Sequence, residues 1–285
     1  MTKKRRAFIC LFSIIFIILC ALFLFIIVNN HQKQKKHEIE EKLNMVMKNI
    51  QEEITSYNYS NFSILHLAST TPRIKSAELS IKEKAEILDG MKGTDSNILE
   101  LTITDLQGNA YLMQDNYSNF AERPYFREAL KGNEIIYGPI IHKIFNIPSI
   151  FYSTPVYNED DEITNTIFLA SKSNFLSEVC EKYTADLNCH AIIMKRLTGL
   201  VIGDNNQNSV MVTNIYDQAA ETGIKELHDV MENIVAGKSK VEYVKAPGRK
   251  TLVFAYSQIE NTDWIIFVED SYKSFFFNLL SGGLE

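Results

Sequence analysis

An α+β fold is predicted for this chain: one long helix, then two stacked modules of short strands with local helices. Three observations predict it. Residues 7–28 form an apolar run without a single charge. Residues 37–69 contain neither proline nor glycine and carry apolar residues at helical spacing. After Thr70 the period changes, and short strand-like runs bounded by turn residues recur in two successive groups, each with helical segments. At 285 residues the chain is long enough for about two domains, and its 46% hydrophobic and 22% charged residues are ordinary for a globular protein.

The first element is AFICLFSIIFIILCALFLFIIV, residues 7–28. At a rise of about 1.5 Å per residue it crosses about 30 Å of hydrocarbon. A cleaved signal has an apolar core of roughly 7–15 residues and small residues at the cut. Here the run is longer and NNHQKQKK follows, so a retained membrane helix is expected. Lys3, Lys4, Arg5 and Arg6 precede it, against Lys33, Lys35 and Lys36 after it. That bias favours a cytoplasmic N-terminus at 1–6, with everything from about Asn29 outside the cytoplasmic membrane. The net charge is −6, and without the leading basic residues the remainder is more acidic still. No nucleic-acid partner is expected, because phosphates need a basic surface.

The second element is a stalk helix within 29–69. Ile39, Leu43, Val46, Ile50, Tyr57, Ile64 and Leu67 follow heptad-like spacings, broken at Glu53 and Ser60. Such a stripe packs on its own domain, pairs with a second subunit, or does both. A homodimer through this helix is expected, and the membrane and stalk helices are expected to run nearly continuously.

Strands are expected at 98–104 and 110–113 around the turn 105–109. A short helix follows at 124–131, with Pro124 in its first turn and Gly132 just past its end. A brief strand at 135–137 precedes a hairpin of 149–157 and 163–171. The acidic turn between them, 158–162, lacks the glycine and ligand spacing of a calcium loop and reads as solvated. The second group has a helix at 174–183, strands at 191–195 and 200–202, a helix at 217–235, and strands at 241–245, 251–258 and 264–268, with a hairpin turn at 246–249. Residues 271–285 hold a six-residue apolar stretch from Phe275, far short of a span.

The chemistry on display is sparse. Six histidines show no metal-type spacing, and no phosphate loop, dinucleotide glycine fingerprint or nucleophile elbow is present. No enzyme, cofactor or metal is expected. Cys10 and Cys20 read as small apolar residues of the membrane helix, while Cys180 and Cys189 form either a disulfide or two buried thiols. The unusual stretch is ERPYFREALKGNEIIYGPI, residues 122–140, in which Arg123 stands among a proline and aromatics. A guanidinium is a planar donor fork matched to carboxylate oxygens, and aromatics can wall such a site. Arg123 therefore either holds an anionic ligand beside Tyr125, Phe126 and Tyr137, or bonds to local carbonyls or to Glu122.

The order of membrane helix, long helix, Arg123-Pro124-Tyr125-Phe126-x-x-Ala129, Tyr137-Gly138 and Ser153-Thr154-Pro155-Val156 resembles the double Cache family. These are extracytoplasmic sensor domains of bacterial chemoreceptors, histidine kinases and diguanylate cyclases. The likeness covers most of 29–271, and Thr262-Asp263-Trp264 fits the start of a strand in the second module. It implies two PAS-like modules with antiparallel sheets: a membrane-distal, ligand-binding module at 70–172 and a membrane-proximal one at 173–270. Residues 271–285 would then lead towards a second membrane span.

In the amino-acid-binding branch of that family, the arginine and the first aromatic after it hold the ligand carboxylate, and a later tyrosine and an aspartate hold its amino group. Arg123 and Tyr125 match the carboxylate contacts, with tyrosine where that branch usually has tryptophan. Phe126 replaces a frequent tyrosine, and Tyr137 matches the later one. The aspartate falls near Leu169-Ala170-Ser171-Lys172, where Ser171 is the polar residue and no carboxylate is present. A small carboxylate or another polar metabolite is thus expected as ligand rather than an amino acid, with Tyr117 and Phe120 lining the approach. The implied function is small-molecule sensing at the bacterial cell membrane by a single-pass protein whose sensor domain is extracytoplasmic. The rival readings are a non-sensory anchored adhesion ectodomain and an anchored hydrolase.

Overall fold

The computed structural model describes residues 3–93, 95–112, 116–245 and 251–270, with side chains from residue 15 onward. The turn expected at 246–249, the end of the strand at Met113, the side chain of Cys10 and the stretch 271–285 lie outside the described residues. The chain divides into two compact units, 1–45 and 46–285.

Helix α1 (Lys3–Thr70) is a single element, so the apolar run and the stalk are continuous. With no helix breaker before Pro72, nothing interrupts it. It stops where the hydroxyls of Thr70 and Thr71 donate to the carbonyls of His66 and Leu67, at 2.7 and 2.8 Å, and Pro72 follows. Leu67 O is one of the carbonyls that a helix end leaves without a backbone partner, and the hydroxyl satisfies it. Within the first unit, the side chains from Ile15 to Val28 are exposed all round the helix. It is the one helix among the described residues long and apolar enough to cross a membrane.

Within the second unit, α1 buries Val46, Ile50, Ile54, Asn58, Asn61, Leu65 and Ala68. The expected stripe agrees through Ile50 and then departs: Leu67 is 65% exposed. A straight helix of 3.6 residues per turn drifts against a strict heptad by about 20° per repeat. Two buried asparagines also hide the true face from a hydrophobic pattern. Glu53, which breaks the stripe, is a contact itself: Lys182 Nζ and Tyr183 Oη donate to its Oε2 at 2.6 and 2.7 Å.

Two short helices fill the stretch for which no element is predicted. Helix α2 (Pro72–Lys75) precedes α3 (Ile81–Met91), which opens on a reciprocal capping box between Ser80 and Glu83. The first sheet comprises β1 (Ile98–Thr104), β2 (Asn109–Leu112), β3 (Asn116–Asn119), β4 (Ile135–Ile141), β5 (Pro148–Tyr157) and β6 (Ile163–Lys172), with α4 (Pro124–Ala129) between β3 and β4. Their order is β3-β2-β1-β6-β5-β4, antiparallel throughout. In the acidic turn between β5 and β6, Asn158 Oδ1 accepts from the amides of Asp160 and Glu162, at 3.0 and 2.9 Å. That side chain organises the turn.

The second sheet follows α5 (Phe175–Thr184): β7 (His190–Lys195), β8 (Val201–Asp204), then α6 (Ile215–Glu221) and α7 (Lys225–Val235), then β9 (Lys240–Lys245), β10 (Thr251–Gln258) and β11 (Trp264–Glu269). Its order is β8-β7-β11-β10-β9, again antiparallel. The single helix expected at 217–235 is two, because Gly223 takes φ +65° and ends the first. Cys180 and Cys189 are both buried, no bridge joins them, and Cys180 is a free thiol. Burial pushes the Cys180 thiol far up, which keeps it protonated and inert. The architecture is therefore the predicted one, α+β with a long apolar N-terminal helix and two antiparallel sheets.

Candidate functional site

Strand alternation sorts the first sheet into two faces. On one face Phe151, Phe168 and Ala170 form a core with Ala110, Leu112 and the α4 residues Tyr125 and Phe126. On the other, Tyr152 and Ser171 meet α1 through Asn58 and Tyr57. Arg123 is the residue before α4, placed by a bond from its amide to Phe120 O at 2.8 Å. Pro124 at the first helical position fixes where α4 starts.

A small cavity of about 20 Å³ lies on the α4 face, lined by Arg123, Tyr125, Phe120, Phe151, Glu100 and His142 among others. Tyr125 lies flat on Phe151, with ring centroids 4.7 Å apart and planes 7° apart, and tilts against Phe168. Burial pushes the Tyr125 hydroxyl well above its usual range, and the nearby Arg123 charge pulls weakly the other way. It remains a hydrogen-bond donor at any physiological pH. The Arg123 side chain is half-buried and has no hydrogen-bond or ion-pair partner among the described residues. Glu122, its neighbour and the obvious local partner, pairs with Arg127 instead.

Two further side chains at the cavity were not anticipated. His142 Nδ1 accepts from the amides of Ile144 and Phe145, at 3.2 and 3.4 Å, which puts the ring proton on Nε2. That nitrogen stands 3.3 Å from Glu100 Oε2, and both atoms are buried without a well-formed hydrogen bond. Glu100 and Ile144 also line a larger hollow of about 400 Å³ bounded by α3, β1 and β2. It opens where β1 and β2 part after their single ladder pair, Thr104 with Ala110. The site therefore presents a cation and a carboxylate in an aromatic setting, the arrangement that holds a polar ligand in a fixed orientation.

The dCache model of the Cache domain matches residues 28–278. The chain belongs to the Cache domain family. No curated protein sequence matches it. Among solved structures, the sensory domain of the Campylobacter jejuni chemoreceptor CcmL superposes with a TM-score of 0.64 at 13% identity, over 86% of this chain and 98% of that one. A Campylobacter jejuni chemoreceptor ligand-binding domain in complex with L-valine gives a TM-score of 0.61 at 13% identity, over 86% and 97%. An extracellular ligand binding receptor from Desulfohalobium retbaense gives 0.60 at 11% identity, with 80% of this chain but only 40% of that one covered. At these identities the likeness is one of fold.

Within this Cache domain, the residues singled out from the sequence do not all converge. Arg123 and Tyr125 line the same cavity, with Phe120 beside them. Phe126 is buried in the core beneath and is not part of the lining. Tyr137 tilts against Tyr125, centroids 6.1 Å apart, but lines a different cleft, between the two sheets. Tyr117 is 64% exposed and packs edge-on to Tyr111. Register puts it on the face away from the cavity, since Ser118 is the residue paired with Ala110. Ser171 is likewise on the far face, its Oγ 2.5 Å from Tyr57 Oη.

The residue of β6 that faces the site is Ala170, and its ladder partner is Glu100. A carboxylate, that of Glu100, thus stands directly across the sheet from the end of β6. A bulge at Leu99 sets that alignment, because Ile98 pairs with Ser171 and Glu100 with Ala170.

Proposed function

We propose that this chain is an extracytoplasmic small-molecule sensor, anchored as a single-pass protein in a bacterial cell membrane by 7–28. Residues 70–172 form its membrane-distal ligand-binding module and 173–270 its membrane-proximal one. The output belongs to a chemotaxis, kinase or cyclase pathway, through a segment or partner beyond the sensor. The helix α1 carries the signal and pairs with a second copy.

One observation carries the reading: a half-buried guanidinium at an aromatic cavity, bypassed by its neighbouring carboxylate. Leaving such a group unpaired is costly, and a ligand carboxylate repays it with two parallel bonds. Glu100 adds a condition that sequence reading misses. The far end of the ligand must bring a donor, either a hydroxyl or an ammonium, so amino acids return to the ligand panel. The related chemoreceptor domain seen with L-valine supports including them.

A cavity of about 20 Å³ holds one water and no metabolite. Ligand entry into that cavity would therefore displace part of its wall, so the empty and occupied states would differ. That difference is what a sensor needs.

The test is thermal-shift screening of the full chain in nanodiscs against organic acids, amino acids and amines. A ligand at 100 times its Kd stabilises by about 2.7 kcal/mol. Arg123→Ala is expected to lower affinity about 10- to 100-fold, the worth of charged hydrogen bonds. A panel without any specific shift, or a shift that survives Arg123→Ala, defeats the reading and favours an adhesion ectodomain.

A further inference from the structure

A second polar hollow, apart from the Arg123 cavity, lies between the two sheets. It measures about 460 Å³, within the range of small-molecule sites. Strand β4 forms one wall with Tyr137. The other is made of the end of β7 with Lys195, the turn after it with Arg196, and the β10–β11 turn, with Asn261 and Asp263.

The walls are firmly tied. The Arg196 amide donates to Asp263 O at 2.7 Å, its Nη1 to Val235 O at 2.8 Å, and the Tyr216 hydroxyl donates to Arg196 O. Gln258 Nε2 donates to Thr262 O at 2.8 Å. The indole of the fully buried Trp264 donates to Gly138 O at 3.1 Å, pinning the second sheet to β4.

Against that order, the two cations lack counter-charges. Lys195 Nζ makes no ion pair or hydrogen bond among the described residues, and Arg196 Nε is buried without an acceptor. The Asp263 carboxylate lines the same hollow, yet forms no ion pair with either among the described residues. A cleft walled by an ammonium without an acidic partner and by a guanidinium whose Nη1 alone is bonded, to Val235 O, can accept an anion. We propose that this cleft binds a small oxyanion, carboxylate or phosphate in chemistry, between Lys195 and Arg196. The proposal does not depend on a ligand at Arg123.

The sole tryptophan reports on the site, because Trp264 adjoins Thr262 and Asp263 in the cleft wall. The full chain in nanodiscs is titrated with succinate and, separately, inorganic phosphate, at constant ionic strength set by chloride. Calorimetry and Trp264 emission are both followed. A saturable heat with a matching emission change is expected for at least one of the two anions, and which one identifies the chemistry. Lys195→Gln, which breaks no bond, is expected to weaken binding at least 10-fold, and Arg196→Gln likewise, while Arg123→Gln leaves it intact.

Absence of saturable binding to either anion overturns the proposal. So does binding that survives Lys195→Gln, or that leaves Trp264 emission unchanged. Binding abolished by Arg123→Gln and kept by Lys195→Gln places the anion in the other cavity, which sinks this proposal and strengthens the sensor reading.

Discussion

His190 begins β7 with its Nε2 2.9 Å from Asp204 Oδ1, and its ladder partner on β11 is the buried Glu269. Burial alone lowers an imidazole's pKa, but the hydrogen bond to Asp204 and the charges of Asp204 and Glu269 outweigh it and raise the value. A raised folded pKa means the protonated ring is bound more tightly in the folded state. Its stabilisation is complete below the unfolded value of about 6.5 and is lost as pH rises through the folded value. Urea unfolding of the full chain is expected to show stability declining across that window, and His190→Gln to flatten the decline. An unchanged pH slope in the variant would exclude this pair as its source. Residues of this kind show why single positions were only partly legible. Arg123 announced itself by its neighbours in the chain. Glu100 did not, because its relation to Ala170 exists only through strand pairing and a one-residue bulge that no local pattern reveals. The same parity sends Ser171 and Tyr117 to the wrong face, each one residue from a position that reaches the site.

Elements were easier to read than residues wherever one face was uniformly apolar. The β5–β6 hairpin follows the expected limits to within a residue, since both strands are long runs of apolar and β-branched residues bounded by an acidic turn. Helix α3 escaped notice although Ser80 and Glu83 carry its capping box, because Lys84 is buried on it and donates to Asn165 at 2.9 Å instead of facing solvent. The second half of α1 is the instructive case. A heptad continued from Ile50 favours Ile64 and Leu67, whereas the buried face runs through Ile54, Asn58, Asn61 and Leu65. The two registers make opposite predictions. Ile54→Ala removes a fully buried side chain and is expected to cost about 2–5 kcal/mol in urea unfolding. Leu67→Ala alters an exposed position and is expected to stay within about 0.5 kcal/mol. Equal losses at both positions would mean that Leu67 is covered, as it would be by a second copy of the helix.

For the whole molecule, the two-sheet plan was visible in the sequence because strand runs and turns recur. What joins the parts was not, since single bonds such as Trp264 to Gly138 link residues far apart in the chain. One such link decides how a ligand could be felt at α1. Adjacent residues of β5 point to opposite faces: Phe151 lines the Arg123 cavity, and Tyr152 reaches α1. The Tyr152 hydroxyl donates to Asn58 Oδ1 at 2.7 Å, and its ring stands edge-on to Phe62, centroids 5.6 Å apart. If a ligand displaces Phe151, Tyr152 is expected to shift with it and to pass the displacement to α1 through Asn58 and Phe62. The effect can be no larger than the ligand's preference for one arrangement, typically 1–3 kcal/mol of coupling. Tyr152→Phe keeps the cavity wall and removes the link. It is expected to cost about 1–3 kcal/mol of stability by leaving Asn58 without its donor. Ligand binding should persist by calorimetry, while a spin label at the exposed Tyr59 position of α1 loses most of its ligand-dependent change. If the label responds as fully in Tyr152→Phe as in the parent, transmission runs by another route. If binding is lost as well, Tyr152 shapes the cavity rather than connecting it.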